Sequence, residues 1–278
     1  MVAGFLMVAF AAASWGTWTL FLRPTHLPGL VTTPIVFATM AVVGLPIALT
    51  EPKGRWDRTT WLLIALNTAF DALNVVCFFS ALDATSVAIA VLSHYVTPIL
   101  VALAAPRIDG VATPGAKPAA LVALAGLVIV LEPWAEPTSG AVLGASLGLA
   151  SAVCYAGNVF TVRRLVGRIG AARAMVLHSI GAALVLLPFA WPHLADITTD
   201  SFVRIVIGGV GPGTIAGIVF ARGLARIGSA RTAILTFAEP LVAVACGALV
   251  WDEGLHPLAA LGGALILGAG VYVARRSS

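Results

Sequence analysis

Charge is what this sequence has least of. Sixteen Lys and Arg and twelve Asp and Glu make up only 10% of its 278 residues, while 60% are apolar. A soluble domain carries about 25% charged and roughly 45–50% apolar residues, so this chain lacks the polar surface to cover itself in water. That excludes an ordinary cytosolic enzyme and a disordered tail. Cysteine is equally scarce: Cys77, Cys154 and Cys246 stand far apart in apolar stretches, without bridge or metal-ligand spacing. They exclude a secreted disulfide scaffold and read as small core residues. The formal charge of +4 is spread among loops and never forms a dense basic block, so no nucleic-acid partner is expected. No Ser/His/Asp set, HExxH motif or metal-spaced His/Cys cluster occurs, so neither a metal nor a cofactor is expected. The glycine-rich run Gly208–Thr214 has no Lys-Ser or Lys-Thr after it and lies inside an apolar stretch. It reads as a thinned, bent helix, not a phosphate loop.

Long apolar runs are abundant, and the mean hydropathy is +1.01. Crossing about 30 Å of hydrocarbon takes roughly 20 residues of helix. Ten runs qualify: Val2–Leu22, Leu30–Thr50, Thr60–Ser80, Thr85–Ala105, Pro118–Trp134, Gly140–Val162, Ala172–Trp191, Phe202–Arg222, Ala230–Val250 and Pro257–Val273. No basic segment precedes the first, which therefore reads as a helix and not a signal peptide. Alternate turns collect fourteen of the sixteen basic residues, leaving only Arg23 and Arg204 on the other side. That other side holds Asp83, Glu132, Glu136, Asp196, Asp200, Asp252 and Glu253. Basic loops stay cytoplasmic, so both termini are expected inside.

The two halves echo each other at an offset of about 142 residues. Gly44–Ala48 matches Leu186–Ala190, aligning Pro46 with Pro188; Pro98 aligns with Pro240, Leu82 with Leu224 and Tyr95 with Phe237. Trp15–Trp18 falls opposite Tyr155–Asn158 at an offset of 140. Five helices per half is an odd number, so the second half must be inverted relative to the first. The expected fold is an all-α polytopic membrane protein of ten transmembrane helices in two inverted five-helix repeats, residues 1–134 and 140–278. Inverted repeats are typical of secondary transporters, which hold substrate near the midplane.

The first helix carries a Trp15-Gly16 pair after Ser14. The segment Ala225–Pro240 ends in Glu239-Pro240, and Leu249–Glu253 closes the ninth helix with two acids. In these features, and over nearly its whole length, the chain resembles the EamA-type permeases of the drug/metabolite transporter superfamily. The first half departs at Thr97, which stands where Glu239 does, and at Ala105–Gly110, which lacks a clear Glu. The resemblance implies transport of amino acids, other small metabolites or drugs.

Polar side chains at membrane depth are the candidate site, because an ionisable group there costs ~2.5–3.5 kcal/mol on insertion scales. Asp71 lies ~16 Å into the third helix, close to the midplane. Asn67, Asp71 and Asn74 follow i, i+4, i+7 and share one helical face, as do Thr232, Thr236 and Glu239 in the ninth helix. Such a face is either a cavity wall or a helix–helix hydrogen-bond cluster. Glu239 either gates transport or steadies the Pro240 kink, with Arg231 as a basic partner. His94 takes the position equivalent to Thr236 and is a proton-relay candidate. His178 reads as a packed structural histidine. Trp15, Trp18, Tyr155 and Asn158 are candidate wall residues, the tryptophans as a cation–π surface for an amine. The glycine pairs Gly144/Gly148 and Gly209/Gly213 mark close helix contacts within the bundle.

The expected function is a secondary transporter in the bacterial cytoplasmic (inner) membrane, not an enzyme. It moves a small metabolite such as an amino acid or amine by alternating access, with proton coupling open. Its partners are the substrate and membrane lipid, with oligomeric state open and a monomer sufficient. The alternatives are an intramembrane enzyme acting on a lipid-linked substrate, or a gated channel.

Overall fold

The computed structural model describes residues 1–135, 140–254 and 257–276; Glu136 lies outside the described residues. Helices account for the architecture, and no strand occurs among the described residues. In chain order they are α1 (Val2–Thr25), α2 (Gly29–Thr50), α3 (Arg58–Ala84), α4 (Val87–Ile108), α5 (Ala116–Leu131), α6 (Ala141–Ile169), α7 (Ala171–Asp196), α8 (Thr199–Ile227), α9 (Ser229–Val250) and α10 (Ala259–Arg275). Eight are long and apolar enough to cross a membrane, and α5 and α10 are the two shorter apolar helices. Each of the ten expected runs has its helix.

The ends differ from the apolar runs for local reasons. α3 starts at Arg58 because the Asp57 carboxylate accepts the Thr60 N–H at 2.9 Å, satisfying a first-turn donor. α5 stops at Leu131, short of Trp134, where Glu132 turns left-handed at φ 43°. Single glycines at positive φ, Gly170 and Gly228, join α6 to α7 and α8 to α9.

The principal packing pairs join residues 1–131 to residues 141–275. α2 packs on α7, α3 on α6, α1 on α8 and α9, α4 on α6 and α9, and α5 on α10. The α5–α10 contact needs glycine, since a Cβ on Gly262 would sit 2.5 Å from the Gly126 carbonyl oxygen. Gly144 lies against Thr85 just before α4 and Gly148 against Ser93 of α4, and Gly209 and Gly213 against Thr39 and Met40 of α2. Both glycine pairs thus mark contacts inside one bundle.

Four helices break their regular winding at mid-length. α1 turns at Thr17, α4 at Tyr95–Val96 and α9 at Thr236–Phe237, while α8 winds as a π-helix over Gly209–Ile215. Proline causes the α4 and α9 breaks by removing an N–H and freeing the carbonyl four residues back. The freed His94 carbonyl accepts the Thr97 hydroxyl at 2.7 Å, and the Thr236 carbonyl accepts the Glu239 N–H at 3.0 Å. In α8, the Pro212 carbonyl accepts Trp15 Nε1–H at 2.9 Å. Irregular backbone at such depth is tolerated where it lines a cavity.

Candidate functional site

The broken helices surround a cavity of about 300 Å³. Eight of the ten residues anticipated from sequence line it: Trp15 and Trp18 from α1, Asp71 and Asn74 from α3, His94 from α4, Tyr155 and Asn158 from α6, and Glu239 from α9. Asn67 and Thr236 lie off the wall. Asn67 is fully buried one turn along α3, where its amide donates to Thr161 Oγ1 at 3.1 Å. The Thr236 hydroxyl turns back onto the Ala233 carbonyl at 2.7 Å. Both are tied up within the bundle.

The α3 face does both jobs the spacing allowed. Asn158 Nδ2 donates to Asp71 Oδ1 at 2.9 Å, and the Ser151 hydroxyl donates to Asn74 Oδ1 at 2.7 Å. With Asn67–Thr161, these bonds run as a polar seam between α3 and α6. The same Asp71 and Asn74 side chains border the cavity.

His178 is where sequence reasoning falls short. It is not merely packing: its Nε2 is 2.7 Å from Asp71 Oδ2, its Nδ1 is 2.9 Å from the Met175 carbonyl, and it borders the cavity. Asp71 is therefore held from two sides, by the α6 amide and the α7 imidazole. A lone His beside Ser179 in an apolar run gives no sign of a carboxylate 107 positions away.

Aromatic rings form much of the remaining wall. His94 stacks on Tyr155 with centroids 5.4 Å apart, and its Nδ1 is 2.8 Å from Ser151 Oγ. Phe78 packs on His94 at 4.9 Å, and Trp15 packs on Phe220 at 4.7 Å. Glu239 and Tyr95 both border the cavity; Arg231, the basic partner expected for Glu239, reaches toward the Ile227 carbonyl. Phe37, Met40, Phe79 and Met175 complete the lining, and no pattern in so apolar a chain singles them out. Among the described lining residues none is Lys or Arg. The wall carries two carboxylates, two imidazoles and a belt of π-faces. Such a set can hold a cation by ion pairing and by the ring quadrupoles. No group of three or more His, Cys, Asp and Glu able to hold a metal occurs among the described residues.

Comparison with known proteins bears on the family and the fold. The EamA-like transporter family matches residues 142–275. An uncharacterized transporter of Archaeoglobus fulgidus is 30% identical over 276 residues, covering 97% of this chain and 95% of that protein. A solved crystal structure superposes with a TM-score of 0.84 over 98% of both chains at 21% identity, which speaks to the fold alone. The chain belongs to the EamA-like transporter family of the drug/metabolite transporter superfamily and is a transmembrane transporter.

Proposed function

We propose that this transporter carries a small cationic or zwitterionic amine, such as an amino acid, across the bacterial cytoplasmic membrane by alternating access. In this reading all ten helices cross the bilayer, residues 1–134 and 140–278 form two inverted five-helix repeats, and both termini face the cytoplasm. The helix contacts support the inversion. A two-fold operation that exchanges the halves turns α3–α6 into α8–α1 and α4–α6 into α9–α1, and all four contacts are present. The repeat-equivalent Tyr95 and Phe237 rings meet at 5.4 Å, as an axis passing between α4 and α9 requires. The basic turns support the orientation by converging at one end, where residues 51–57 meet 168–173 and residues 105–113 meet 163 and 226–231.

The observation that carries the substrate class is Asp71. Its carboxylate borders the cavity, is held by Asn158 and His178, and faces no Lys or Arg among the lining residues. An ammonium group supplies the missing cation. Asp71→Asn keeps the volume and removes the charge. Uptake of a panel of radiolabelled amino acids and amines into proteoliposomes should saturate, and the variant should bind its substrate roughly tenfold or more weakly, the value of a charged hydrogen bond. Unchanged affinity and rate in Asp71→Asn would sink the assignment and move it to Glu239. The short Asp71–His178 contact favours a second role for the same pair, accepting and releasing a coupling proton. A variant that still exchanges substrate but fails to concentrate it against a pH gradient would select that role.

A further inference from the structure

A second, smaller polar pocket lies away from the transport cavity, at the end where the basic turns converge. Its volume is about 130 Å³, and its charged lining residues are Asp109, Arg163, Arg226 and Arg231. Asp109 is engaged by Arg163 at 2.5 Å. That leaves Arg226 and Arg231 in excess. Among the described residues Arg226 reaches only the Met7 sulfur, at 3.0 Å, and Arg231 only the Ile227 carbonyl, at 3.5 Å. Ser229 borders the same pocket and is 1% exposed, yet among the described residues its hydroxyl has no hydrogen-bond partner, and neither does the buried Arg231 Nε. Donors left unsatisfied in this way cost free energy unless something accepts from them.

The chain contains a filled counterpart of this arrangement. At Gly170 (φ 89°, ψ 164°) the backbone swings from α6 into α7 just as it does at Gly228 (φ 85°, ψ 163°) from α8 into α9. After Gly170 the Glu51 carboxylate accepts the Ala172 and Arg173 N–H groups at 3.0 and 3.1 Å. The chain's own anion sits on the start of α7. After Gly228 no carboxylate of the described chain does the same for α9, and Arg226, Arg231 and the Ser229 hydroxyl converge there instead.

We propose that this pocket binds one phosphate-class oxyanion, a phospholipid headgroup or inorganic phosphate, between Arg226, Arg231 and the Ser229 hydroxyl. The site is separate from the Asp71 cavity, so it stands or falls independently of the transported substrate. Guanidinium forks match phosphate geometry, and basic pockets between transmembrane helices on the cytoplasmic side are suited to anionic headgroups. Bound there, the anion would pin the start of α9, the helix that carries Glu239.

Thermal unfolding of the purified full chain tests this. The protein is titrated with phosphatidylglycerol in one arm and inorganic phosphate in the other, with phosphatidylcholine and chloride as respective references. The midpoint should rise in at least one arm. A response to lipid alone identifies a headgroup, and a response to phosphate identifies a soluble anion. Each lost arginine should weaken the response about fivefold, so Arg226→Gln/Arg231→Gln should respond at roughly 25-fold higher probe concentration. Arg58→Gln, at the same end but outside the pocket, should respond as the wild type does. The exposed Arg226→Gln alone supplies the test if the double variant does not fold. No response in either arm, or an unchanged response in the arginine variants, overturns the proposal.

Discussion

The two ends of the bundle are closed by different means. At the basic end, residues of the first half reach into the second through a dense set of bonds. Both Asp57 carboxylate oxygens accept from Arg168 Nη1, at 2.9 and 3.0 Å, the Arg55 N–H bonds the Arg168 carbonyl at 2.8 Å, and Glu51, its side chain 12% exposed, caps α7. Arg163 reaches Asp109 between them. At the opposite end a single ion pair joins the halves among the described residues, Arg23 to Glu253 at 2.5 Å, with both side chains half exposed and Arg23 lying over Trp251. The remaining pairs there, Arg204–Asp200 and His193–Asp196, are local to one helix turn. Burial decides which end is held more firmly. A charge bonded to buried N–H groups keeps most of its value, whereas an exposed ion pair is worth about 0–1 kcal/mol. In the alternating-access cycle proposed above, this difference would make the basic end the latched one and the other end the lightly clasped one.

Breaking the latch should give the largest effect. Glu51→Gln/Asp57→Asn removes two sets of charge-assisted bonds, each worth about 1.5–3 kcal/mol. A cysteine replacing Met175 on the cavity wall should then react with an impermeant maleimide from the basic side at least tenfold faster than in the latched background. A cysteine at Gly167, where an added side chain meets nothing within 4 Å, reports which membrane face that side is. No change in Met175→Cys labelling would show that the bonds do not govern access.

Arg23→Gln sharpens the contrast with a smaller change. Losing an exposed pair of about 0–1 kcal/mol shifts the populations by roughly fivefold at most. Labelling of Phe79→Cys from the opposite side should change no more than that. A shift as large as the one from the double variant would mean the ends are equally held.

The smallest expected effect is that of pH on the latch. The Thr60 backbone N–H, and then the Arg168 guanidinium, hold the Asp57 carboxyl well below the usual carboxylate range. A depressed folded-state pKa contributes stability that is present above the unfolded value and lost only as pH falls through the folded value. Between about pH 5 and pH 8, above the ordinary carboxylate range, Met175→Cys labelling from the basic side should stay flat once thiol reactivity is normalised to unfolded protein. A pH-dependent transport rate on that flat background would then be assigned to the cavity.

The elements differ in how openly the sequence announced them. Ten apolar runs were readable because hydropathy is a local property, and each became a helix; the kink at Pro240 was readable because proline acts on its own turn, whereas the matching break before Pro98 and the turn at Thr17 were not anticipated. Asp71, Asn74, Trp15 and Tyr155 could be nominated because a polar or aromatic group at mid-membrane depth is conspicuous against Leu, Val and Ala. Asn67 was nominated by the same reasoning but lies off the cavity wall. Periodicity places Asn67, Asp71 and Asn74 on one face but does not say where along α3 the neighbouring α6 stops sealing that face and the cavity begins.

By itself, then, the sequence determined that the chain is helical and membrane-embedded and where its helices run, since each follows from the side chains of a few neighbouring turns. Only the tertiary structure decided that His178 meets Asp71, that Glu51 caps α7, and that Arg226 and Arg231 were left without such a partner. Those pairings join residues 107 to 122 positions apart. They depend on which helices pack together and in what register, which no local pattern encodes.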